Sequence, residues 1–374
     1  MYGTGHKSIW RNPYKYKRRN NTMILGLDIG RQYIKAVVLD KTKGGHKLVN
    51  HGLRLVPEPN QTFDPEKISQ PHWVMAVREL MKEMKINPKR VKHLVTSLNG
   101  SHVSVKQITT MDMPQEELHS SMTFEARKHI PMDGSDAVID YQIFGSNPKE
   151  VDKIDVALVA CTKKTSSAHI ELLKEIGFKP GIIDVDPIAI MNSYSYANDL
   201  PEEGAVVLLD IGTVSSALTV WGRKDAFFTR DLPIGSHEFV KALATKLDKD
   251  YVSSLDELLK EGVNCFNSSD TEETDSGIGI AERTVFDNFV EDIRRSLRYY
   301  AKTTNQSFFT HFFLTGGGSA TEGLAELIQS KLNLEVSVFN PMQSFEGYDE
   351  EAIVNPAQYT VAVGLALRGG GFDT

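Results

Sequence analysis

Two short stretches of the 374-residue chain repeat each other: Gly26-Leu27-Asp28-Ile29-Gly30 and, 182 positions later, Leu208-Leu209-Asp210-Ile211-Gly212. Each sets an aspartate at the end of an apolar run and a glycine two residues on, before a second apolar run. The pattern predicts two strands joined by a tight turn whose backbone N–H groups converge in a small concavity, an anion site. Glycine at 30 and 212 allows the backbone conformation and the close approach that a phosphate oxygen requires. An aspartate beside a phosphate is repelled unless a magnesium ion and its water shell stand between them. Lys35, five positions past Gly30, falls on the returning strand, within reach of the same phosphates. One such turn says little, since ordinary hairpins contain it. Two copies with matching flanks describe a cleft that pinches a nucleotide's phosphates from both sides.

A third element is Leu314-Thr315-Gly316-Gly317-Gly318-Ser319, a strand running into three glycines and then a helix. Adjacent glycines let the backbone lie flat against a planar group or cradle phosphate at a helix N-terminus. A fourth, Ala362-Val363-Gly364-Leu365-Ala366, is a small-residue helix suited to close packing at a hinge.

The elements that must position these residues follow an α/β pattern. Strands are expected at 24–29, 33–39, 46–56, 91–97, 103–110, 138–144 and 154–161 in the first half, with helices at 73–84, 115–129 and 166–176. Helix 73–84 rests on Trp73, Val77, Leu80, Met81 and Met84 at spacings of three and four. Helix 115–129 starts acidic (Glu116, Glu117) and ends basic (Arg127, Lys128), as the helix dipole prefers; Pro131 stops it. From residue 205 the layout starts again, with strands at 205–211, 215–220 and 226–231 and helices at 237–247, 256–261 and 282–303. A strand at 311–314, a helix at 322–331, a strand at 336–339 and a helix at 357–367 complete it. The acidic stretch 264–280 reads as a solvated loop. Two homologous α/β halves, each with an insertion, is the economical description.

Composition narrows the function. The formal net charge is −7, yet residues 1–22 carry six lysines and arginines and no acid, which leaves −13 on residues 23–374. An acidic body has no basic face with which to displace phosphate counterions, so nucleic acid is excluded as a partner. The tail 1–22 reads as a disordered extension or an upstream start ahead of Met23; the other reading is a basic-aromatic segment touching anionic lipid or a partner. Cys161 and Cys265 fit neither a disulfide framework nor a zinc site, and no stretch approaches the roughly 20 apolar residues of a membrane span. The expectation is a reduced, cytosolic protein.

The order Asp-x-Gly, Asp-x-Gly, Gly-Gly-Gly, Ala-x-Gly resembles the phosphate-1, phosphate-2, adenosine and connect-2 motifs of the actin, hexokinase and heat-shock-chaperone superfamily. Within it the chain is similar to the PilM family of type IV pilus assembly. The stretches that carry this include Phe124-Glu125-Ala126-Arg127-Lys128-His129-Ile130-Pro131, Asp140-Tyr141-Gln142, Gly177-Phe178-Lys179-Pro180 and Asp184-Val185-Asp186-Pro187. Others are Phe228-Thr229-Arg230-Asp231-Leu232-Pro233-Ile234-Gly235, Ile293-Arg294-Arg295-Ser296-Leu297 and Gly364-Leu365-Ala366-Leu367-Arg368, so the resemblance runs from about 24 to 368.

The resemblance implies two duplicated actin-like (RNase H-like) domains with inserted subdomains, in an FtsA-like arrangement. Subdomain IA would comprise 23–104 with 182–204 and 355–368, and IC 105–181; IIA would be 205–240 with 306–354, and IIB 241–305. ATP with magnesium would lie between the halves, with Asp28 and Asp210 ordering the water shell of the metal. Gly30, Lys35, Gly212 and Thr213 would face the phosphates, Gly316, Gly317 and Gly318 the adenosine, and Glu257 and Lys260 the ribose and base. Where many relatives carry small hydroxyl residues after the first turn, this chain has Arg31-Gln32; Arg31 would pair with a phosphate, crowd the γ-phosphate or point to solvent. Asp186 is the nearest candidate for a general base, its other reading being an N-cap for a helix starting at Pro187. At most a slow ATPase is implied. The implied partner is the cytoplasmic N-terminal tail of a PilN-like inner-membrane protein, held between IA and IC. That contact would couple the membrane platform to the pilus motor ATPases, with the protein itself a monomer or weakly self-associating. Two other readings remain. A small-molecule kinase of the superfamily would need a catalytic carboxylate and a sugar pocket in the first domain. An FtsA-like membrane tether would need a basic, bulky amphipathic C-terminal helix, whereas this chain ends Arg368-Gly369-Gly370-Gly371-Phe372-Asp373-Thr374.

Overall fold

A computed structural model describes residues 23–57, 63–99, 103–129, 137–147, 149–266 and 283–370. The basic tail 1–22, Pro131 and all but the start of the acidic stretch 264–280 lie outside the described residues.

The first half runs β1 (Met23–Ile29), β2 (Tyr33–Thr42), β3 (Gly45–Leu55), α1 (Gln70–Glu83), β4 (His93–Leu98), β5 (Val103–Met111), α2 (Gln115–His129), β6 (Ala137–Ser146), β7 (Lys153–Thr162), α3 (Lys163–Ile176), β8 (Ile182–Val185) and α4 (Asp186–Ala197). The second runs β9 (Ala205–Ile211), β10 (Ser216–Trp221), β11 (Phe228–Leu232), α5 (Ser236–Leu247), α6 (Tyr251–Glu261), α7 (Val285–Thr304), β12 (Phe309–Thr315), α8 (Leu324–Leu332), β13 (Val336–Val338) and α9 (Thr360–Gly369).

The duplication read from the two Asp-Ile-Gly turns extends to whole sheets. One sheet has the order β3-β2-β1-β4-β8 and the other β11-β10-β9-β12-β13. In both, the first strand of the half pairs antiparallel with the second and parallel with the fourth, β1 with β4 and β9 with β12. β1 and β9 are apolar up to Asp28 and Asp210 near their ends, because helices cover both faces. Leu25 and Leu27 of β1 pack with Val77 and Leu80 of α1, while Ile24 packs with Ala189 and Ile190 of α4 and Leu365 of α9.

Local chemistry sets the ends of the helices. α7 begins at Val285, three residues later than periodicity predicts, because Thr284 caps it: its hydroxyl accepts from Asp287 N while the Asp287 carboxylate accepts from Thr284 N. Phe286, Phe289, Val290, Ile293, Leu297 and Tyr300 then form one buried stripe against the second sheet.

A third sheet, β5-β7-β6, carries α2 on one face, where Leu118, Met122 and Ala126 cover Ile154, Val156, Leu158 and Ala160. Its other face meets the rest of the molecule through Val105, which clusters with Ile188 and Met191 of α4 and with Trp221 and Phe227. Two segments pack into the cores of the five-stranded sheets. α3 falls in the range expected for the insertion, yet Leu172, Leu173 and Ile176 belong to the core of the first sheet. Likewise Leu243, Leu258, Phe286 and Phe289, in the range expected for a separate subdomain, share one core with the second sheet. The four-residue strand β8 has no periodicity of its own and was not anticipated; its register with β4 defines it.

His169 of α3 ties that helix to the first sheet through Thr96 Oγ1 at 2.7 Å. Burial pushes its pKa down to about 4. The depressed value means that the unfolded chain takes up the proton first as pH falls. Stability from this group is therefore complete above about pH 6.5 and is lost on the way down to about pH 4, by at most about 3 kcal/mol. Urea unfolding at pH 7.5 and pH 4.5 should show this loss, and His169→Gln should remove much of the difference; an unchanged pH profile in the variant would exclude His169 as its source.

Candidate nucleotide cleft

The turns between β1 and β2 and between β9 and β10 stand at the ends of their central strands. Four residues, Gly30–Tyr33, connect the paired Ile29 and Ile34, and this register puts Asp28 directly opposite Lys35 across the antiparallel pair. The ammonium meets Asp28 Oδ2 at 2.9 Å, and the Asp28 side chain is 7% exposed. In the second hairpin the position opposite Asp210 is Ala217, so that cation is not duplicated. Asp210 instead accepts from Thr315 Oγ1 at 2.9 Å, because β12 lies parallel to β9 with Thr315 beside Asp210.

The fold adds a third carboxylate. β8 carries the chain beside β4 with Asp184 next to Ser97, and Ser97 Oγ donates to Asp186 Oδ1 at 2.5 Å. This corrects the capping alternative for Asp186. The helix starts at Asp186 itself, its N-cap is Val185, and the carboxylate faces Ser97 rather than the backbone of its own first turn.

The charges form one coupled group. Burial works against the Lys35 ammonium, but the charge and hydrogen bond of Asp28, with Asp210 and Asp186 behind, hold its pKa above the usual lysine value. Burial raises the pKa of Asp186 well above the carboxylate range, and the neighbouring Asp28 and Asp210 charges raise it further. Asp210 is also raised by burial, with Lys35 and Thr315 opposing. Three carboxylates around one ammonium leave an excess of negative charge that a further cation would relieve. Among the described residues no three His, Cys, Asp or Glu side chains are grouped to hold a metal by themselves. The donor set therefore suits a hydrated magnesium shared with phosphate oxygens better than a dehydrated ion held by protein alone.

Three consecutive glycines, 316–318, form the floor of the cleft. Gly316 has φ +80°, and a Cβ there would lie 2.7 Å from Asp210 Oδ1; one at Gly317 would meet nothing within 4 Å. Gly318 is buried against Ile211 of the second turn. This bare backbone next to the carboxylates fits a phosphorylated nucleotide.

The other expected site residues are placed as follows. Gln32 and Thr213 bring the two turns into contact, Thr213 Oγ1 donating to Gln32 Oε1 at 3.3 Å across 181 positions of sequence. Arg31 is not brought to the cluster. It is exposed, lies 5.4 Å over the Trp73 ring and donates to the Pro65 carbonyl, while Trp73 Nε1 donates to Gly30 O at 3.0 Å. Glu257 pairs with Lys249, and Lys260 is exposed on α6. Ser97 and Thr315 are the cluster members that sequence reasoning missed; the hydroxyl next to the triple glycine was a usable signal for Thr315, and nothing local marks Ser97. A cavity of about 410 Å³ lies elsewhere, between the third sheet and the β10–β11 hairpin, lined by Gln107, Asn147, Asp155, Trp221 and Asp225.

Duplicated five-stranded sheets, each contributing an Asp-Ile-Gly hairpin to a shared acidic cleft, define an actin-like protein. The family model described as type IV pilus assembly protein PilM matches residues 26–370, and the chain belongs to that family. Among solved structures, the chain is similar to one described as a PilM-PilN type IV pilus biogenesis complex. The identity is 23% over 93% of this chain and 98% of that one, with a TM-score of 0.75. It is also similar in fold to the ethanolamine utilization protein EutJ from Carboxydothermus hydrogenoformans, at 13% identity over 93% of this chain and 90% of that one, with a TM-score of 0.52. A diol dehydratase-reactivating factor, described in nucleotide-free form, matches at 10% identity over 94% of this chain and all of that one, with a TM-score of 0.51. No helix among the described residues is long and apolar enough to cross a membrane.

Proposed function

We propose that this PilM-family protein binds ATP with magnesium between its two halves and docks the N-terminal tail of a PilN-like inner-membrane protein. The observation that carries the nucleotide part is the convergence of Asp28, Lys35, Asp186 and Asp210 from both halves on a glycine-lined floor. In this reading Asp28 and Asp210 order the water shell of magnesium, and Lys35, Gly30, Gly212 and Thr213 face the phosphates. Gly316, Gly317 and Gly318 lie along the adenosine, with Glu257 and Lys260 toward the ribose and base. Magnesium supplies charge neutralisation between carboxylates and phosphates. Asp186, held by Ser97, is the group within this chain able to take a proton from water, which is consistent with slow hydrolysis at most.

The partner reading rests on family membership and on the similarity to a structure described as a PilM-PilN complex. The third sheet with α2 is the displaced subdomain, and the tail lies between it and the first sheet. Through that tail the protein sits on the cytoplasmic side of the inner membrane and is coupled to the pilus motor ATPases. Calorimetric titration of the full chain with magnesium ATP and with a synthetic PilN-like tail peptide tests both parts. Binding of each is expected, the first abolished by EDTA. A chain that binds neither, or that phosphorylates a small metabolite, would overturn the proposal.

A further inference from the structure

Next to the two phosphate turns, the halves are joined by a cluster of aromatic side chains that the nucleotide reading does not use. Phe63, 5% exposed and part of the core of the first sheet, sets its ring edge-on to His237 of α5, with centroids 5.3 Å apart and planes at 88°. His237 Nδ1 lies 3.0 Å from the hydroxyl of Tyr251, the first residue of α6, and the two rings lie 5.3 Å apart. The Tyr251 ring packs against the cores of both sheets, so one side chain of the second half is seated in the first. Tyr33 of β2 is close enough to Tyr251 to raise the pKa of its phenol, after burial.

Each end of this cluster is tied to a phosphate turn. His237 N donates to Thr213 O at 2.9 Å and Ser236 N to Gly212 O at 2.9 Å, so the start of α5 is bonded to the second turn. On the other side, Arg31 of the first turn donates to the carbonyl of Pro65, two residues from Phe63, and Gln32 O accepts from Val56 N at 2.8 Å. The turns touch each other through Gln32 and Thr213. A phosphate chain entering between the turns must part that hydrogen bond. Because the turns are bonded to the segments that carry Phe63 and His237, parting them strains the aromatic contact.

We propose that Phe63, His237 and Tyr251 form a clasp between the halves that holds the cleft shut on its phosphate side and sets the rate of nucleotide exchange. The exchange arm rests on the nucleotide reading; the closure arm does not. Both are tested on the full-length protein with Phe63→Ala and with Tyr251→Phe, the second removing only the hydroxyl and so preserving the packing. In nucleotide-free protein, hydrogen–deuterium exchange of the segments 212–216 and 235–240 should rise in both variants, because their amides lose a closed cleft. With a fluorescent ATP analogue and magnesium, stopped-flow dissociation should be about fivefold faster in each variant. Unchanged deuterium uptake in both variants would overturn the clasp. Increased uptake with an unchanged dissociation rate would overturn its control of exchange. Should the wild type bind no nucleotide, the nucleotide reading fails and the deuterium arm still decides the clasp.

Discussion

Replacing Asp210 by asparagine is expected to remove magnesium-dependent nucleotide binding while leaving the protein at least as stable as before. The two effects have opposite signs for one physical reason. Burial holds the Asp210 pKa above its ordinary value, which means that folding disfavours its ionised form. A raised folded-state pKa contributes stability at low pH and forfeits it as pH rises through that value, so at pH 7 the carboxylate is a cost to the fold. Asparagine keeps an oxygen to accept from Thr315 Oγ1 and drops the charge. The unfolding midpoint should therefore hold or rise. Nucleotide binding should fall by about 100-fold or more, since roughly 3 kcal/mol of charge stabilisation is lost where metal and phosphates meet. Asp28 makes a poorer test. It is the direct partner of the buried Lys35 ammonium, and breaking such a pair costs roughly 3–5 kcal/mol of stability. Calorimetry with magnesium ATP, alongside thermal unfolding, separates the cases. Asp210→Asn binding within threefold of wild type would sink the assignment of Asp210 to the metal.

Gly364→Ala should be the most damaging alanine substitution among the small-residue positions, with a loss of about 3 kcal/mol or failure to fold. α9 crosses α4 here at backbone contact: a Cβ on residue 364 would lie 1.7 Å from the Ala189 carbonyl oxygen. A backbone atom cannot swing aside as a side-chain tip can. On the far side of α9 the approach is similar, since a Cβ at Gly26 of β1 would lie 2.1 Å from Ala362 O. α9 is thus wedged between β1 and α4, and moving it to accept a side chain would open two interfaces together. Gly44→Ala is the matched control, because nothing lies within 4 Å of its Cβ position. Denaturant unfolding should rank Gly364→Ala far below wild type and Gly44→Ala beside it; equal midpoints for the two variants would exclude the close crossing.

Much of the cleft was legible in the chain because it is local. Strand pairing and loop length fix which residues face each other, so Asp28 stands opposite Lys35 once four residues, Gly30–Tyr33, connect the paired Ile29 and Ile34. Helices α1, α2 and α7 were legible for a similar reason: their apolar residues recur on one face over several turns. β8, with four residues, is too short to show a period, and with it went the pairing of Asp186 with Ser97 of β4.

The amino-acid sequence by itself determined the duplication, the two acidic hairpins, the glycine floor and the family, because each depends on residue types at short, fixed spacing. Tertiary structure alone decided which distant groups join them. Asp186 enters the cluster because β8 lines up beside β4, and Arg31 leaves it because Trp73 of α1 offers a ring beside the turn. α3 belongs to the first sheet because of the face on which Leu172 and Leu173 are buried, whatever its position in the chain. The two turns meet at Gln32 and Thr213, and Tyr251 packs against the cores of both halves. Such contacts depend on how faces pack across 42 to 181 positions of sequence, and no local pattern encodes that distance.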